Sequence, residues 1–109
     1  MNSEGVILIA AERQRQVEVE GWTAEHDNEH VPGTLAAAAA CYAAHNDRIG
    51  QAELYMGTVD EGRSCYSRLW PREWDAWDKR RKHSRLRRLV IAGALIAAEI
   101  DAELRRNCR

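Results

Sequence analysis

The last quarter of the chain constrains the fold most, because it is apolar around most of a helix. One stripe at helical spacing holds Leu86, Leu89, Val90, Gly93, Ile96, Ala97, Ile100 and Leu104. The opposite side of the same segment carries Ile91, Ala94, Leu95 and Ala98. We therefore predict a long helix over about 85–106, capped by Ser84 and buried on both sides. The second side is a candidate homo-oligomer interface.

Three shorter segments also favour helices. A first helix is predicted over 4–20, with Ser3 as its N-cap and Gly21 at its end. A second is predicted from Leu35 to about His45, capped by Thr34 and built on a run of alanines. A third is predicted over about 71–82, because proline suits the first turn of a helix. Residues 21–33 are predicted to form a polar loop or one short helical turn, and 46–69 are predicted to hold only a short helix near 51–56.

These elements predict an all-α fold, a compact bundle of about four helices in a single domain over 1–109. No segment alternates like a strand, and no apolar run reaches the roughly 18 residues that a membrane span needs. The three cysteines are odd in number and widely spaced, which favours a reducing compartment over a disulfide framework. We expect a soluble, cytoplasmic protein without a membrane partner.

Charge divides the chain into two halves. Residues 1–62 hold 11 acidic and 3 basic residues, a balance of −8, and residues 63–109 hold 6 acidic and 13 basic residues, a balance of +7. Such halves can attract each other within one chain or between copies, and a basic half can also bind an anion.

The basic half contains the leading candidate ligand site. Trp70, Trp74 and Trp77 have helical spacing, and residues 79–88 carry seven lysines and arginines. Aromatic rings can stack a nucleobase while neighbouring cations hold its phosphates, so we predict a nucleotide-like anionic ligand contacted by one of the tryptophans and by Arg80, Arg81 or Arg85. The competing interpretation places the tryptophans in the core and pairs the cations with the acidic half. Duplex nucleic acid ranks below both, because no nucleic-acid motif frames the cluster.

Arg13 is a further candidate ligand residue. It falls on the apolar stripe of the first helix, where a charged side chain needs a partner. That partner is either a carboxylate such as Glu99 or a bound phosphate.

A short acidic segment supports an alternative metal site. His26-Asp27-Asn28-Glu29-His30 matches the H-x-x-E-H string of inverted zinc peptidases. A divalent metal would be held by Glu25, His26, Asp27, Glu29 and His30. The match is short and runs directly into Val31-Pro32-Gly33, so a solvated acidic loop is the favoured interpretation.

Several segments together resemble a family of small uncharacterised phage and prophage proteins. They are AERQRQ at 11–16, GWTAEHDNEH at 21–30, LAAAAACYA at 35–43, WPREWDAWD at 70–78 and LVIAGALIAAEID at 89–101. The resemblance covers nearly the whole chain and brings no activity with it.

The chain is also remotely similar to MazG-like all-α nucleoside triphosphate pyrophosphatases. That similarity implies a helical fold with magnesium held by carboxylate pairs on two central helices. The first pair is replaced here by the alanine run Ala36–Ala40, and Glu99, Asp101 and Glu103 depart from the spacing of the second. Magnesium-assisted hydrolysis needs several carboxylates that converge on the metal.

From these features we expect a non-catalytic, phage-type accessory protein that binds a nucleotide-like anion, without a cofactor, and sequesters a nucleotide signal used in host defence. One alternative is a divergent pyrophosphatase that depends on magnesium or another divalent metal. A second is a protein-interaction module that inhibits a host factor through its basic, tryptophan-rich face.

Overall fold

The computed structural model describes residues 2–23, 31–44, 70–71, 74 and 79–107. These residues form helix α1 (Glu4–Glu18), helix α2 (Thr34–Ala44), a 3₁₀ turn (Arg80–Lys82) and helix α3 (Arg85–Asn107). None of them lies in a β-strand. The predicted all-α class and the long C-terminal helix are therefore confirmed.

Two of the predicted helix starts are correct in detail. The Ser3 hydroxyl accepts a hydrogen bond from the amide of Val6 at 3.3 Å, so Ser3 caps α1. The Ser84 hydroxyl accepts one from the amide of Arg87 at 3.1 Å and does the same for α3. α1 ends at Glu18, two residues before the predicted end, and the chain then turns through Gly21 at φ +73°.

The first backbone amides of helix α2 are hydrogen-bonded by a side chain from a distant part of the chain. The predicted cap, Thr34, is instead the first residue of the helix, and it follows Gly33 at φ +97°. One carboxylate oxygen of Glu99 on α3 accepts the amide hydrogens of Gly33 at 3.0 Å and Ala36 at 3.1 Å. A negative charge at this position also stabilises the positive end of the helix dipole, so Glu99 joins α2 to α3.

The predicted third helix, over 71–82, is wrong where the structure describes it. The amides of Trp74 and Lys82 bond to carbonyls three residues earlier, those of Pro71 and Lys79, as in a 3₁₀ turn. Four consecutive cations occupy 79–82, and the Arg80 side chain turns inward over the ring of Trp70. The 3₁₀ turn allows this contact between Arg80 and Trp70. It ends two residues before Ser84, the N-cap of α3.

The structure also reverses the predicted roles of the two apolar sides of α3. The side assigned to a subunit interface is buried within the chain: Ile91, Ala94, Leu95 and Ala98. Most large residues of the predicted core stripe are exposed: Leu86, Leu89, Ile96, Ile100 and Leu104. A subunit interface that uses Leu95 is therefore wrong.

Small side chains explain which side of α3 is buried. Helix α2 packs on α3 through Leu35, Ala38, Ala39 and Cys41, and alanines on both helices let the backbones approach closely. Helix α1 packs on a neighbouring part of α3, where a side chain at Gly93 would come within 2.5 Å of Ile9. Both neighbours of α3 thus meet it where its residues are small.

The core is completed by aromatic rings. Trp70 and Trp74 are buried with the α2–α3 residues, and Trp22 and Tyr42 pack against them from the edge. None of the helices in the described part of the chain has the length and apolar character needed to cross a membrane.

We expect Leu95→Ala to lower the free energy of unfolding by about 3 kcal/mol, because it removes a fully buried side chain and leaves a cavity between α2 and α3. The matched control Leu8→Ala, on the exposed side of α1, should cost less than about 1 kcal/mol. Urea unfolding followed by circular dichroism measures both, and equal losses would contradict the assignment of the core face.

Candidate functional site

The cations of the basic half gather where the 3₁₀ turn leads into α3. Lys79, Arg81, Lys82 and Arg85 are exposed there. α3 begins at the same point, and the N-terminus of a helix adds partial positive charge. Two more arginines, Arg15 from α1 and Arg87 from α3, approach the same end of the molecule and are partly exposed. We call these six residues the cationic end.

A buried carboxylate holds the two arginines in place. Glu12 lies on α1 and is only 2% exposed. It accepts two hydrogen bonds from Arg15, at 2.8 and 3.0 Å, and a further bond from Arg87. The side-chain amide of Gln16 donates to it at 3.2 Å. Glu12 therefore joins α1 to the first turn of α3 and orients both guanidinium groups.

These hydrogen-bond partners change the pKa of the Glu12 carboxyl. Burial alone would raise the pKa of its carboxyl, but the hydrogen bonds from Arg15 and the charge of Arg87 outweigh burial and lower it below 4.5. The same contacts raise the pKa of Arg15. The group is a stable ion cluster at neutral pH, with two arginines around one carboxylate.

His83 lies between the 3₁₀ turn and α3, and the charges of the cationic end act on its imidazole. Its pKa is lowered from 6.5, first by burial and then by the charge of Arg87, with smaller contributions from Arg15 and Lys79. Glu12 acts in the opposite direction and does not compensate. The imidazole is therefore neutral in a positive field, which is the environment that attracts an anion.

Two of the predicted tryptophans belong to the core. Trp70 and Trp74 are 5% and 9% exposed. Their rings meet edge to face with centroids 5.9 Å apart, and Tyr42 and Trp22 pack on them at 5.7 and 6.0 Å. Little of either ring is open to a base, and Trp77 lies outside the described residues.

Arg80 belongs with the aromatic cluster rather than with the exposed cations. It is 8% exposed, and its guanidinium carbon lies 4.1 Å from the centroid of the Trp70 ring. A cation over an indole face is favourable, and more so when both are withdrawn from water. Of the three predicted arginines, Arg81 and Arg85 are therefore the exposed ones.

Arg13 does not join the cationic end. Its Nε atom lies 3.9 Å from the carboxylate of Asp101, and its Nη1 donates to the carbonyl of Trp22 at 3.5 Å. Asp101 is 16 residues beyond Arg85 on α3, about 24 Å along the helix axis. The predicted partner Glu99 is instead engaged with α2 and with Arg106 at 3.4 Å.

Arg13 also lines an open groove of about 490 Å³ between α1 and α3. The groove is mainly apolar, and its other lining residues are Val6, Ile9, Ala10, Gln14, Val17, Glu18 and Ala97. The structure thus separates the predicted site residues into a cationic end, an aromatic core and this groove.

Sequence reasoning missed the residues that organise the cationic end. Glu12 and Arg15 stand three residues apart, the spacing of an ion pair on one helix face, and that signal was available. The approach of Arg87 and His83 to Glu12 had no local signal, because they are more than 70 positions away along the chain.

The alternative metal site, from Glu25 to His30, lies outside the described residues. Within 2–23, 31–44, 70–71, 74 and 79–107, no group of three or more histidine, cysteine or acidic side chains is placed to hold a metal ion.

No protein-family model, curated protein or solved structure matches this chain. The resemblance to phage proteins and the remote similarity to MazG-like enzymes therefore stay predictions.

We expect Glu12→Gln to destabilise the protein by about 2 kcal/mol at pH 7, because it weakens charged hydrogen bonds to two arginines. The carboxyl has a lowered pKa in the folded state, so its stabilising effect is complete above 4.5 and is lost as the pH falls through that lowered value. The difference between wild type and variant should therefore shrink in acid.

Urea unfolding between pH 7 and pH 3 measures this difference. Glu18→Gln is the matched control, since Glu18 lies on the exposed side of the same helix, and it should change stability by less than about 0.5 kcal/mol. A constant difference between wild type and Glu12→Gln at every pH would refute the electrostatic role.

Proposed function

We propose that this protein is a non-catalytic binder of a phosphate-bearing small molecule, a nucleotide in particular. The observation that carries the proposal is the cationic end, where Lys79, Arg81, Lys82 and Arg85 are exposed. Beside them, burial and the positive charges of Arg87, Arg15 and Lys79 lower the pKa of His83. A bound phosphate would relieve the mutual repulsion of these cations.

The arrangement favours recognition through phosphates rather than through the base. The guanidinium group of arginine can donate two parallel hydrogen bonds to the oxygens of one phosphate. Glu12 already orients the guanidinium groups of Arg15 and Arg87. Trp70 and Trp74 are buried in the core, so they expose little ring surface on which a base could stack. We therefore expect affinity to depend on the number of phosphates more than on the identity of the base.

The composition of α2 supports binding without catalysis. Ala36–Ala40 stand where the similarity to pyrophosphatases implies carboxylates, and Ala38 and Ala39 are buried against α3. On the phage resemblance, we propose that the protein acts by sequestering its ligand, such as a nucleotide signal of host defence.

We also propose that the protein is a homo-oligomer through α3. The supporting observation is the apolar surface that α3 leaves uncovered within the chain. Contiguous exposed apolar residues of this kind mark interaction sites.

Binding of ATP or inorganic phosphate should raise the pKa of His83, because the ligand's negative charge offsets that of the surrounding cations. NMR titration of the imidazole resonances, assigned with His83→Gln, measures the shift. A ligand bound elsewhere would leave that pKa unchanged.

The double variant Arg81→Ala, Lys82→Ala should weaken ATP affinity at least about tenfold in calorimetry, because it removes two exposed cations from the site. The matched control Arg105→Ala, Arg106→Ala removes the same charge at the other end of α3 and should change the affinity by less than about twofold. Equal losses in the two variants would indicate nonspecific attraction and overturn the site.

Purified protein should release no pyrophosphate from nucleoside triphosphates in the presence of magnesium, because the alanine run replaces the implied carboxylates. A coupled phosphate assay measures this. Release that disappears in Glu25→Gln or Asp27→Asn would replace the binding proposal with the pyrophosphatase alternative.

A further inference from the structure

Helix α3 carries an apolar seam of large, exposed residues on the side opposite the buried Leu95, and α1 borders this seam at Gly93. Its large members retain between 37% and 64% exposure: Leu86, Leu89, Ile96, Ile100 and Leu104. Gly93 lies between Leu89 and Ile96 on the same line of the helix, and Ile9 of α1 packs against it. The steps from Leu86 to Ile100 are three, four, three and four residues, the spacing by which one helix packs along another.

The large residues of the seam have nearly the same spacing from either end of α3. Leu86 and Leu104 are equally distant from Leu95, and Leu89 and Ile100 have almost the same midpoint. A two-fold axis that passes near Leu95 would place Leu86 opposite Leu104 of the partner subunit and Leu89 opposite Ile100 of the partner subunit. Such self-complementarity is what an isologous contact between two copies requires.

The charges beside the seam fit an antiparallel pair. Arg85 and Glu103 are both exposed and lie along the same edge of the seam, 18 residues or about 27 Å apart. In an antiparallel pair about that axis, Arg85 faces Glu103 of the partner subunit at both ends of the contact. In a parallel pair, Arg85 of one copy and Glu103 of the other lie about 27 Å apart along the helices and cannot pair.

The carboxylate of Glu103 can accept a further hydrogen bond. Its Oε2 atom accepts both hydrogen bonds from Arg106, at 2.8 and 3.3 Å. Among the described residues, its Oε1 atom is not used in that pair, and the side chain is 58% exposed. An arginine from a second copy would extend this ion pair into a network.

We infer that two copies of this chain associate through antiparallel packing of α3 on α3, with the seam at the centre and Arg85–Glu103 pairs at both ends. The inference rests on the proposed homo-oligomer and specifies its partner and geometry. The occupant of the seam is a second copy, because its apolar pattern and its flanking charges are both self-complementary.

The first experiment is analytical ultracentrifugation of the full chain and of Ile100→Glu. Wild type should be a dimer at micromolar concentration. Ile100→Glu should be a folded monomer by circular dichroism, because the side chain is exposed within one copy. Val19→Glu, which introduces the same charge at an exposed position on the end of α1, should remain a dimer. A wild-type monomer overturns both the homo-oligomer and the antiparallel geometry.

The second experiment exchanges the charges. Arg85→Glu and Glu103→Arg should each weaken the dimer at least about tenfold, since each places like charges opposite one another at both ends. The double variant should return the dissociation constant to within about threefold of wild type. The control Arg81→Glu changes the net charge equally away from the seam and should have less than about twofold effect.

The two experiments separate the two levels of the proposal. A dimer that dissociates with Ile100→Glu but is not restored by the exchanged charges overturns the antiparallel geometry and leaves the homo-oligomer standing. Restoration by the double variant supports the antiparallel pair, because positions 85 and 103 of the two copies lie about 27 Å apart in a parallel pair and exchanging their charges would restore no contact.

Discussion

Close contact between the alanine-rich faces of α2 and α3 determines where the rest of the described structure lies. Ala38 and Ala39 on α2 meet Leu95 and Ala98 on α3, and a larger side chain at these positions would force the helices apart. With that side of α3 occupied, α1 packs beside α2 on the same helix, and the large aliphatic residues of α3 face outward. The tryptophans then close the end of the core left open between the two helices.

Opposite charges in the two halves of the sequence meet as a few specific contacts. Glu12 from the acidic half pairs with Arg87 from the basic half. Arg13 from the acidic half lies near the carboxylate of Asp101 from the basic half. Glu12 engages arginines that it also orients, while Arg81 and Lys82 stay at the surface. This is why local ion pairing and a positive field around His83 coexist.

Local patterns predicted α1, α2 and α3 well, but they predicted a helix where a 3₁₀ turn forms at Arg80–Lys82 and gave the tertiary contacts poorly. Ser3 and Ser84 were identified as caps because capping depends on side chains within three residues. The buried side of α3 was misassigned because hydrophobicity favoured its leucines and isoleucines, whereas close packing selected its alanines. The role of Glu99 at the start of α2 was missed, since more than 60 residues separate donor and acceptor. The same limit hid the contact of Glu12 with Arg87.

Arg85 connects the two surfaces of α3 that the described chain leaves exposed. It belongs to the cationic end, and it also flanks the apolar seam beside Leu86 and Leu89. A carboxylate brought to Arg85 by a second copy and a phosphate brought by a ligand would compete for the same guanidinium. Arg81 and Lys82 lie on the turn before the helix, so substitutions there are expected to change anion binding alone. Substitutions of Glu103 and Ile100 are expected to change association with the second copy alone. Changes at these positions therefore test each surface separately, while a change at Arg85 alone perturbs both.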